Sequence, residues 1–73
     1  MKDKTNKEIG LRIQKLRKSN QMSLVQLAKF LEIPPSFLAL IERGECNPPI
    51  KLLMGVCNIF DVSMDYITFE ERE

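Results

Sequence analysis

Apolar residues recur at helical spacing along most of this chain, and the breaks between them carry helix start and stop signals. Ile9, Ile13 and Leu16 form a first stripe. Thr5 and Glu8 have the spacing of a capping box, so a helix is predicted from about Lys7 to Ser19. The polar run Ser19-Asn20-Gln21 ends it. Leu24, Leu27, Ala28 and Leu31 then follow the i, i+3, i+4, i+7 pattern. Ser23 and Gln26 form a second capping box, and Met22 with Leu27 occupies the staple positions around it. A second helix is therefore predicted from Leu24 to about Leu31. A turn at Glu32-Ile33-Pro34 leads to a third helix that opens at Pro35, whose missing N–H has no partner in a first turn anyway. It places Leu38, Ile41 and Glu42 on one face and stops at Gly44, a left-handed cap. A fourth helix is predicted from about Pro49 to Phe60, with Leu53, Val56, Cys57 and Phe60 turned inward. Val62 and Ile67 flank a further start at Ser63, which predicts a short fifth helix over about Met64 to Phe69. No strand alternation, repeat or linker interrupts the series. The expectation is an all-α protein, a compact five-helix bundle in a single domain over 1–73 with its core at about 7–69.

Size and composition narrow the chemistry. Seventy-three residues, 44% of them apolar, support one small core and no deep cleft between domains. No apolar run approaches the roughly 18 residues of a membrane span. The start, MKDKTNKEIG, has no apolar h-region, so a cytoplasmic protein without a membrane partner is expected. Two cysteines and no histidine exclude a zinc-ligand set. Cys57 reads as a small core residue and Cys46 as a loop residue, with a disulfide disfavoured. No nucleophile–base pair or cofactor motif is present, so neither an enzyme nor a cofactor is expected. The net charge of +1 hides an asymmetry. Residues 1–20 carry seven Lys/Arg against two acids, residues 21–44 are balanced, and residues 45–73 carry two against six. A basic end suits phosphate contact, with the acidic end turned away.

The second and third helices are too short to stand alone. Joined by a tight turn, they have the layout of a helix-turn-helix, which places its second helix in the DNA major groove. The chain resembles the phage-repressor-like helix-turn-helix family of the Cro/C1 or XRE type. The residues that carry the resemblance are Ile9-Gly10, Arg12-Ile13, Leu16-Arg17, Ser23, Leu27-Ala28, Leu31, Ile33, Ser36, Leu38, Ile41-Glu42-Arg43-Gly44, Asn47-Pro48 and Phe60-x-Val62-Ser63-x-Asp65-Tyr66. Together they cover about residues 9 to 67. The resemblance implies a lambda-repressor-like DNA-binding domain whose second helix bridges the backbone and whose third enters the groove.

It also implies a buried ion pair between Arg17 and Glu42. The residues agree, because both lie beside core stripes and a charge there needs a partner. In the family, the positions of Pro35, Ser36, Phe37 and Leu40 read base edges, and Arg43 joins them on the outward face. This chain departs from the pattern, since only Ser36 and Arg43 there can hydrogen-bond to a base. Leu24 replaces a common glutamine, and Glu45 begins a loop that is often basic. Phosphate contacts are expected from Arg12 and Lys15 on the basic face of the first helix, alongside Lys7 and Lys18. Ser23, Leu24 and Asn47 complete the set, aided by backbone N–H groups at the start of the second helix. The C-terminal apolar residues Met64, Tyr66, Ile67 and Phe69, with Val62, are the expected homodimer surface. The function expected is a sequence-specific DNA-binding transcriptional regulator, in particular a repressor, with double-stranded DNA as partner. The alternative is an interaction module of the same fold, an antirepressor or adaptor, whose apolar Phe37/Leu40 face docks a protein partner.

Overall fold

A computed structural model describes residues 5–68, which form five helices: α1 Asn6–Ser19, α2 Leu24–Leu31, α3 Pro35–Glu42, α4 Ile50–Phe60 and α5 Met64–Thr68. The expected helices appear within a residue or so of their predicted limits, except that the end placed at Phe69 lies outside the described residues. Both capping boxes are formed. Thr5 Oγ1 accepts from the Glu8 N–H at 3.2 Å while Glu8 Oε1 accepts from the Thr5 N–H at 3.0 Å. Ser23 and Gln26 repeat the exchange at 3.0 and 2.8 Å. Ser63 Oγ accepts from the Tyr66 N–H and so opens α5.

Four of the helices end in one shared way. The chain enters the left-handed region at Gln21, Glu32, Gly44 and Asp61. The next N–H then returns to a carbonyl five residues back: Met22 to Arg17, Ile33 to Ala28, Glu45 to Leu40 and Val62 to Cys57. This is the Schellman closure, which satisfies carbonyls a helix end would leave bare. At three of the four ends the returning residue is apolar and packs onto the core.

That core is Ile9 and Ile13 of α1, Leu27 and Ala28 of α2, Leu38 and Ile41 of α3, Leu52, Leu53 and Val56 of α4, and Ile67 of α5. The α4 expectation omitted Leu52, which is buried, while Cys57 and Phe60 turn inward as expected and pack half-buried against the core. α4 is turned so that its 52–53–56 edge faces α2 and α5. α3 leaves α2 at a bend of 107°, so the two helices form a corner and not a continuous rod. α1 crosses α3 at Gly10 without room for a side chain. A Cβ there would lie 2.1 Å from the Ile41 carbonyl oxygen and 2.8 Å from that of Glu42. Among the described residues, no helix alone is long and apolar enough to cross a membrane.

Candidate nucleic-acid interface

α3 is clamped from its inner face. Leu38 and Ile41 are fully buried, and Glu42 is buried with its carboxylate pointing at α1. Arg17 meets it side-on: Nε donates to Glu42 Oε2 at 2.8 Å and Nη2 donates to Oε1 at 3.0 Å. The third donor, Nη1, reaches the Met22 carbonyl at 3.0 Å. One guanidinium thus ties α1, the α1–α2 turn and α3 together. The hydrogen bond to Glu42 raises the Arg17 pKa above its ordinary range, opposed by burial and helped by the carboxylate's charge. In this geometry the pair fixes where α3 sits relative to α2.

The outer face of α3 is left open. Pro35, Ser36 and Arg43 are exposed, while Phe37 and Leu40 are half-buried. Phe37 packs against the core, so the bare apolar patch expected from Phe37 and Leu40 is smaller than the helical wheel suggested. The Arg43 guanidinium is engaged with Glu45, Nε to Oε2 at 3.1 Å and Nη2 to Oε1 at 3.4 Å, with both side chains more than half exposed. Its pKa is raised chiefly by that hydrogen bond.

The expected phosphate residues fall into two groups. Lys7, Lys15, Lys18, Ser23 and Asn47 are exposed. Lys7 packs its backbone against Gly44, which brings the start of α1 beside the end of α3. Arg12, by contrast, is half-buried with its guanidinium over the Tyr66 ring, 4.4 Å from the centroid. It therefore fastens α1 to α5 through a cation–π contact. The Leu24 side chain packs against the core, so only its backbone N–H, at the first position of α2, is offered outward. The Gln26 N–H is already taken by Ser23.

The C-terminal surface needs a correction. Ile67 is fully buried and closes the core against α1 and α4, so it does not face a second chain. Tyr66 lies under Arg12, Met64 and Val62 are half-buried, and Phe69 lies outside the described residues. Among the described residues, the large apolar side chains that are exposed lie elsewhere: Leu11, Val25, Phe30, Ile50 and Met54. The 3.6-residue pattern could have flagged Ile50 and Met54, which lie off the 53–56 stripe of α4.

A family model described as helix-turn-helix matches residues 13–67. The chain is 35% identical over 63 residues to the immunity repressor protein of Bacillus phage phi105, covering 86% of this chain and 44% of that protein. It is 38% identical over 66 residues to the HTH-type transcriptional regulator SinR of Bacillus subtilis (strain 168), covering 89% of this chain and 60% of that regulator. The chain thus spans about half the length of these relatives. The solved structure of SinR, the master regulator for biofilm formation, in complex with DNA superposes with a TM-score of 0.73 at 38% identity, covering 81% of this chain and 95% of that one.

Proposed function

We propose, because the chain belongs to the helix-turn-helix family, that it is a sequence-specific DNA-binding transcriptional regulator, a repressor that lays α3 in the major groove. The observation that carries this reading is the division of α3 into two faces. Leu38, Ile41 and Glu42 anchor it, and Ser36 and Arg43 stand exposed on the opposite side. The free N–H groups at the start of α2 and the exposed Lys7, Lys15 and Lys18 supply sequence-independent attraction to phosphate. Asn47 extends that edge. Few base-edge hydrogen bonds are available, so specificity draws on thymine-methyl contact by Leu40 and on DNA shape.

The reading includes a homodimer on a two-fold operator, because one such helix reads half a site. Met54 and Met64 line one groove between α4 and α5 and offer apolar surface for the second copy. The site of action is the compartment that holds the DNA, the cytoplasm of a bacterial cell. The half-buried state of Phe37 and Leu40 leaves little apolar face for a protein on α3, so DNA is preferred over the interaction-module reading. The reading is of a binding protein, not an enzyme.

The experiment is selection from a random duplex pool at low and at physiological salt, followed by sequencing. An enriched palindrome, bound more weakly as salt rises, is the expected result. Retention without any enriched sequence would overturn sequence-specific reading.

A further inference from the structure

Arg43 is the sole Lys or Arg between Lys29 and Lys51, so it is the one cation that α3 and its flanking turns can bring to DNA. Glu45 occupies the Nε–Nη2 edge of its guanidinium. The carboxylate is not on a loose loop. Gly44 takes φ +79°, and the Glu45 N–H donates to the Leu40 carbonyl at 2.9 Å, which fixes the Glu45 backbone at the helix end. The turn thus folds the carboxylate back onto the guanidinium two residues earlier. That edge is one a guanidinium presents to a phosphate or to guanine O6 and N7. A carboxylate and a phosphate cannot share it.

We propose that Glu45 is a built-in brake on sequence-independent DNA binding, holding Arg43 off the phosphate backbone and leaving it to a site that offers a better bidentate acceptor. The inference rests on the DNA-binding reading above. The pair is exposed to water and so is exchangeable. Whichever acceptor displaces Glu45, the carboxylate stays beside the DNA, so the exchange gains only where the new acceptor takes both N–H groups in fixed register. A guanine edge in register with α3 does so through O6 and N7, whereas phosphates met in arbitrary register do not, so guanine is the acceptor the exchange favours. Glu45 then determines specificity through Arg43 without touching a base.

The test is binding to a long random-sequence duplex across about 50 to 200 mM salt, for wild type, Glu45→Gln, Arg43→Gln and the double variant. Glu45→Gln should tighten this binding about threefold or more. It should also steepen the log–log salt slope by about 0.9, the signature of one further phosphate neutralised. Both gains should vanish in the double variant, and the melting temperature of Glu45→Gln should match wild type. Unchanged binding by Glu45→Gln overturns the brake while DNA binding stands. A gain that persists without Arg43 does the same, since it would be a general charge effect. Failure of every protein, wild type included, to hold duplex at the lowest salt overturns both the brake and the DNA-binding reading.

Discussion

Gly10 and the Arg17–Glu42 pair are the residues on which the position of α3 depends. A Cβ at Gly10 meets backbone oxygen and not a movable side chain, so α1 and α3 must separate to admit it. Gly10→Ala is expected to destabilise the fold by about 2–3 kcal/mol, at the upper end of overpacking, measured by urea denaturation. Gly55→Ala makes the contrast, because its Cβ meets only the tip of the Leu31 side chain. That change should be tolerated, since alanine favours a helix interior by about 1 kcal/mol. Glu42→Ala strands a buried guanidinium that keeps only the Met22 carbonyl. The expected cost is about 3 kcal/mol, and a thermal melt with an unchanged midpoint would refute the clamp.

Among the elements, the shared helix ending matters most. Of the four left-handed caps only Gly44 is glycine, while Gln21, Glu32 and Asp61 hold that conformation with a side chain. A left-handed non-glycine residue costs roughly 1–2 kcal/mol, partly returned here by the closing hydrogen bond and the apolar packing of Ile33. Glu32 is exposed, so Glu32→Gly should stabilise by about 0.5–1 kcal/mol once the looser unfolded chain is counted. Differential scanning calorimetry should show a rise of a few degrees. At the opposite end of the same helix, Ser23→Ala removes the acceptor for the Gln26 N–H and should cost about 1 kcal/mol. The starts of these helices were legible in the chain because a cap acts over three residues. The places where they end were legible too, but the left-handed closure at Gln21, Glu32 and Asp61 was not, because no glycine marked it and it depends on where the following apolar residue finds a core to pack on.

Across the whole molecule, the described basic residues of the N-terminal half separate into those that face water and two, Arg12 and Arg17, that hold the fold. Lys15 and Lys18 are exposed, whereas Arg12 stacks on Tyr66 of α5. If the exposed lysines meet phosphate, Lys15→Gln should reduce the salt slope of DNA binding by about 0.9. Arg12→Gln should leave that slope unchanged and instead lower the melting temperature, through loss of a contact worth roughly 0.5–1 kcal/mol. Equal slopes for Lys15→Gln and wild type would remove that lysine from the interface.

The chain by itself determined its helices, its short α2–α3 pair, its basic and acidic halves and the need of Arg17 and Glu42 for partners, which the family resemblance paired with each other. Each is written in local spacing or in the cost of a charge beside an apolar stripe. Tertiary structure decided what local spacing cannot carry. It set the 107° corner, the crossing that only Gly10 admits, the burial of Ile67 and the capture of Arg12 by Tyr66. A helical wheel shows which face is apolar, but which part of that face is covered depends on the angle and distance at which another helix arrives.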